Sequence, residues 1–115
     1  MADSSSSDRG DDQEQSAAQE LVGDISPTLA RLTDDVLFGD VWTREALSPR
    51  DRSLVTVAAL VTTGATDQLR AHLGIARTNG VTDEEIGEVL THLAFYAGWP
   101  RAMAAVAVDR EVRRG

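Results

Sequence analysis

A chain of 115 residues with net charge −8, no cysteine and eleven bases that are all arginine has room for one modest core and excludes several chemistries. Without a thiol there is no disulfide, thiolate nucleophile or cysteine metal site, and without lysine there is no Schiff base to a carbonyl substrate or pyridoxal phosphate. The acidic balance lacks a basic stripe, which argues for no nucleic acid and no membrane surface as partner, and leaves catalysis to His, Arg, Tyr and carboxylates.

Residues 1-18 read as a disordered acidic tail, because Asp3, Asp8, Asp11, Asp12 and Glu14 face the single base Arg9 and no apolar run interrupts them. That composition fits neither a secretory signal nor a transit peptide, and no apolar run approaches the roughly 20 residues of a membrane span, so a cytoplasmic location is expected. Residues 19-115 are then expected to form the folded domain. A first helix is predicted from Pro27 to about Phe38, with Leu29, Leu32, Val36 and Leu37 at helical spacing and Gly39 ending it. The stretch Gly39 to Leu47 reads as a connector.

Ser48 caps a second helix that begins at Pro49, with Asp51 complementing the dipole in its first turn. Leu54, Val55, Val57, Ala58, Leu60 and Val61 leave that helix almost no polar face, so a central position is expected, and a second subunit is needed to cover it. Gly64 ends it. Thr66 or Asp67 starts the next helix, with Leu69, Leu73 and Ala76 as its apolar stripe and Asn79-Gly80 as its close. Thr82 and Glu85 have the spacing of a capping box, opening a helix whose core side is Ile86, Val89, Leu90 and Leu93 and which ends at Gly98. A last helix from Pro100 carries Met103, Val106 and Val108. No strand-like alternation occurs, so the fold class is all-α, with about five or six helices.

Three ordered patterns then carry a resemblance. They are Gly39-Asp40-x-Trp42-x-Arg44; Arg52-Ser53-Leu54; and His72-Leu73 through Asn79-Gly80-Val81-Thr82-x-Glu84-Glu85-Ile86 to Tyr96-Ala97-Gly98-x-Pro100. From about Phe38 to Ala105 the chain resembles the carboxymuconolactone decarboxylase family. The resemblance implies an alkylhydroperoxidase D-like helical subunit, homo-oligomeric as a trimer or hexamer, acting without a cofactor on a small organic acid or lactone. Relatives with thiol peroxidase activity carry a Cys-x-x-Cys pair with three residues between its second cysteine and a histidine. If His72 is that histidine, Ala65 and Gln68 occupy the cysteine positions, and thiol peroxidase chemistry is excluded.

Seven residues are candidates for the chemistry. His72 is placed by the resemblance and lies one position from the apolar stripe, where burial favours the neutral imidazole; the alternative is a core histidine bonded to a carbonyl. Glu88, His92 and Tyr96 recur at i, i+4, i+8 and share one helix face, which either lines a pocket or is a solvated or subunit-facing stripe. Arg52 is a cation in the first turn of an apolar helix, against the dipole, so it calls for a bound carboxylate or an acid such as Asp40, Asp51 or Glu85. Arg44 beside Trp42 offers an anion site over an aromatic wall, or Trp42 packs the connector. His72, His92 and Arg52 are the catalytic candidates; Trp42, Arg44, Tyr96 and Glu88 are the substrate-binding ones. Two histidines twenty residues apart are no metal signal, so no metal is expected. Glu84 and Glu85 are explained by their helix N-terminus, and Trp99 fits a staple, a pocket wall or an interface anchor. Isomerisation, dehydration or ring closure on the same site, or non-catalytic binding by the oligomer, remain open beside decarboxylation.

Overall fold

The computed structural model describes residues 16–115, and the described residues form helices joined by short turns, with no strand among them. They fall into two compact units, the first reaching to Glu45 and the second spanning Ala46–Gly115. Most of the expected acidic tail lies outside the described residues. Its last positions, 16–18, are instead ordered: Ser16 accepts from the Gln19 amide at 3.0 Å and caps α1 (Ala17–Val22).

In the first unit, Ser26 caps α2 (Pro27–Leu32), accepting from the Leu29 amide at 3.1 Å, and Pro27 costs no hydrogen bond at the first helical position. The single helix expected to Phe38 is in fact two segments, because Thr33–Phe38 widens into a π turn. Thr33 Oγ1 donates to the Leu29 carbonyl at 2.8 Å where the ladder changes register. Of this unit's apolar residues Ala30 is buried, whereas Leu29, Leu32, Val36 and Leu37 of the predicted stripe are exposed. A 3-10 turn, Val41–Thr43, occupies the connector.

The second unit packs α3 (Pro49–Thr63), α4 (Thr66–Thr78), α5 (Asp83–Tyr96) and α6 (Trp99–Arg114) around one core. Val57 and Val61, Leu69, Leu73 and Ala76, Ile86, Leu90 and Leu93, and Ala105 and Val108 are the contributions of the four helices, with Val81 from a turn. Helix α4 packs against α3 and α6, while α5 packs against α6 and more lightly against α3. Asn79 Nδ2 donates to the buried Ser53 Oγ at 2.9 Å, which ties the end of α4 to the start of α3 and sets the two antiparallel.

The turns follow from local chemistry. Gly64 adopts φ 73°, and the Ala65 amide reaches back to the Leu60 carbonyl at 3.0 Å, closing α3 in the left-handed cap that favours glycine. Thr82 Oγ1 accepts from the Glu85 amide at 3.1 Å while Glu85 Oε1 accepts from the Thr82 amide at 2.9 Å, completing the predicted capping box.

One burial expectation needs correcting, and the last helix acquires its sides. Helix α3 buries only the stripe Ser53, Val57 and Val61, and Val55 stays 61% exposed, since α4, α5 and α6 cover one side of it. In α6 the core side is Ala102, Ala105 and Val108 with Asp109; Met103 and Val106 turn outward. Close packing of α6 against α4 and α5 selects the small alanines, leaving the larger side chains on the outer face.

Candidate functional site

His72 stands on α4 at the edge of the buried stripe Leu69, Leu73 and Ala76, and is itself half-buried. Partial removal from water penalises the imidazolium and lowers its pKa below the ordinary 6.5. At neutral pH the ring is therefore mostly uncharged, so it readily accepts a proton and donates one only from its minor imidazolium fraction.

Arg52 lies in the first turn of α3, on the helix that packs against α4, and is also half-buried. The acids considered as its counter-ions are engaged with other arginines. Asp40 pairs with Arg44; Asp51 and Glu85 both pair with Arg50, Glu85 at hydrogen-bond contact. Because Asn79 is level with Ser53, His72 lies seven residues before Asn79 on α4, and Arg52 lies one residue before Ser53 on the antiparallel α3, the two backbones are offset by about 12 Å along the helix axes.

On α5 the shared face of Glu88, His92 and Tyr96 exists as predicted from the spacing, and all three are exposed. His92 and Tyr96 stack, with ring centroids 4.8 Å apart and planes at 26°. Among the described residues Glu88 and His92 form no hydrogen bond or ion pair, so the i, i+4 relation holds the face without a charge pair. Tyr96 reaches 78% exposure in the single chain.

Trp42 and Arg44 belong to the first unit. The Trp42 ring stacks on Phe38 with centroids at 6.0 Å, which packs the connector. Arg44 donates to Asp40 through Nε at 3.3 Å and Nη2 at 3.0 Å, and that carboxylate lies below the ordinary range because of the Arg44 hydrogen bond and charge. No cluster of three potential metal ligands occurs among the described residues.

The second unit also contains a groove that was not anticipated from the sequence. It lies between α5 and α6, has a volume of about 450 Å³, and is walled by Leu90, Ala94, Trp99, Met103 and Val106, with Asp109, Arg110 and Arg113 at one end. None of the seven candidates lines it. The signal was present in the spacing Trp99, Met103, Val106 and Arg110, one face of a helix. Of the three roles open to Trp99, the groove wall is occupied, and its ring meets Phe95 edge-on at 5.3 Å.

Comparison with known proteins adds the relatives. Residues 27–111, a range containing all seven candidates, match the carboxymuconolactone decarboxylase family. A 4-carboxymuconolactone decarboxylase of Acinetobacter baylyi is 38% identical over 81% of this chain and 69% of that protein. A nitrosuccinic acid decarboxylase of Metarhizium robertsii is 36% identical over 64% of this chain, which spans about half (52%) of that relative. A 15.0 kDa protein of Paracoccus denitrificans is 30% identical over 76% of this chain and 67% of its own length. By the extent of the family match and the identity to these relatives, the chain belongs to the carboxymuconolactone decarboxylase family.

Proposed function

We propose that the protein is a cofactor-independent carboxy-lyase that removes carbon dioxide from a small unsaturated lactone or carboxylic acid. The observation that carries this reading is the 38% identity to a 4-carboxymuconolactone decarboxylase over 81% of the chain. The chemistry asks little of the protein. When the bond to the departing carboxylate breaks, its electron pair flows into the conjugated carbonyl of the substrate, giving an enolate, and one proton must then be returned to carbon. His72, half-buried on α4, is the proton donor. Arg52, on the neighbouring helix α3, holds the remote carboxylate of the substrate by charge-assisted bonds. His92 and Tyr96 contribute a stacked aromatic face to substrate binding, with Glu88 beside them; by themselves on the first unit, Trp42 and Arg44 are a further candidate anion-binding pair.

The working form is a homo-oligomer, a trimer or hexamer, in the cytoplasm. Exposed Val55, Phe95 and Tyr96 on the second unit, and Leu29, Leu32 and Val36 on the first, are apolar surface that a subunit interface would cover. No helix among the described residues is long and apolar enough to cross a membrane.

The nitrosuccinic acid decarboxylase among the relatives favours a second substrate reading, a small open-chain acid in place of a lactone. Purified protein supplied with 4-carboxymuconolactone or with nitrosuccinic acid distinguishes the two by carbon dioxide release, with ultraviolet loss of the lactone chromophore as a second readout. Turnover of neither acid removes the decarboxylase reading for both substrates. Full turnover by His72→Ala removes the role given to His72.

A further inference from the structure

The groove between α5 and α6 takes no part in the chemistry assigned above. Its walls are apolar along Leu90, Met103, Val106 and Trp99, and its volume of about 450 Å³ falls in the range of small-molecule sites. From Trp99 to Arg110 it follows α6 for eleven residues, about 16 Å. One end is aromatic and the other is charged.

The charges at that end do not cancel. Asp109 is buried and bonded by Arg77 and Arg113, and Asp83 meets the same two arginines, so two carboxylates face two guanidinium groups. Arg110 lines the groove beside this balanced set and makes no hydrogen bond or ion pair among the described residues. It is a surplus cation at the mouth of an apolar trough. A flat apolar face asks for another protein surface, whereas a concave one with a single positive charge at its end suits a small amphipathic anion.

We propose that this groove is a binding site for an amphipathic monocarboxylate, its hydrocarbon body lying against Met103, Val106 and the Trp99 ring and its carboxylate paired with Arg110. The site is separate from His72 and Arg52 and does not depend on the decarboxylase reading.

The chain has only two methionines, Met1 and Met103, so methyl-labelled methionine gives a readily assigned probe inside the groove at Met103. Titration of the full chain in its native assembly with octanoate is expected to shift the Met103 methyl resonance saturably. Octanol, which keeps the body and lacks the charge, is expected to bind about tenfold more weakly. Arg110→Gln, at an exposed position where folding is not at risk, is expected to weaken octanoate about tenfold and leave octanol unchanged. His72→Ala is expected to bind octanoate as the wild type does. The proposal is overturned by an unmoved Met103 methyl, by equal binding of octanol and octanoate, or by an Arg110→Gln variant that binds octanoate normally. It is overturned equally if the Met103 methyl of the unliganded assembly is already shielded from a soluble paramagnetic agent, because a second copy of the chain then fills the groove.

Discussion

Arg77 holds Asp109 with both guanidinium arms, Nη1 to Oδ1 at 2.9 Å and Nη2 to Oδ2 at 3.3 Å, and Asp109 is only 4% exposed. The same arginine donates through Nε to Asp83 Oδ1 at 2.6 Å, and Arg113 Nε donates to Asp109 Oδ2 at 2.7 Å. One buried carboxylate thereby joins the end of α4 and the start of α5 to α6. Removing Arg77 leaves that carboxylate buried with a single counter-ion. Arg77→Ala is expected to destabilise the fold by about 3 kcal/mol, the lower end for a broken buried pair because Arg113 remains. Urea unfolding checks it, and a loss under about 1 kcal/mol would show that the network is solvent-screened.

Gly64 closes α3 at φ 73°, and a Cβ there would sit 1.8 Å from Nη1 of Arg101. The arginine arm is flexible and can swing away, so the lasting cost is the left-handed backbone. Gly64→Ala is expected to lose about 1–2 kcal/mol in thermal or urea unfolding, and Arg101→Ala in the same background should not restore it.

The start of α5 depends on acid chemistry. Glu85 is held below its ordinary 4.5 by the backbone bond from Thr82 and then by Arg50, and Asp83 is held below 3.8 by the Arg77 hydrogen bond. Both folded values are depressed, so their stabilisation is complete above the unfolded values and is lost as pH falls through the folded ones. Stability measured by urea midpoint should therefore decline below about pH 4.5. Thr82→Ala, which removes the cap, is expected to cost about 1 kcal/mol at neutral pH, and Glu85→Gln to flatten part of the acid decline.

His72 also titrates below its ordinary value, because burial disfavours its cation. The folded fraction thus gains stability above pH 6.5 and loses it as pH falls toward the depressed folded value. If imidazolium is the proton donor, kcat/KM falls as pH rises through an apparent pKa below 6.5. In His72→Gln that limb should vanish together with most of the activity, by about 10²–10⁴-fold. A pH profile with the limb intact in the variant would assign the proton to another group.

The helix ends were legible because each is a local event. Ser48, Thr82 and Gly64 act on neighbouring amides and dihedrals, and the structure shows each cap where its residue type calls for it. The π turn at Thr33–Phe38 was not legible, since Thr33–Phe38 carries the same apolar spacing as an ordinary helix. The candidate residues of α5 were read onto one face, and the His92–Tyr96 stack follows from their i, i+4 spacing. The separation of His72 from Arg52 was not readable, because it depends on how α3 and α4 slide past one another until Asn79 meets Ser53.

By itself the sequence determined an all-helical chain, its turn positions and the absence of thiol and amine chemistry, because residue types and short-range spacing decide these. Tertiary structure decided which apolar stripes are covered, turning Met103 and Val106 out toward the groove while Ala102 and Ala105 pack inward. It also buried Asp109, which reads in the sequence as one more charge near a helix end. Helix periodicity marks a face as apolar; only the neighbouring helices determine whether anything lies against it.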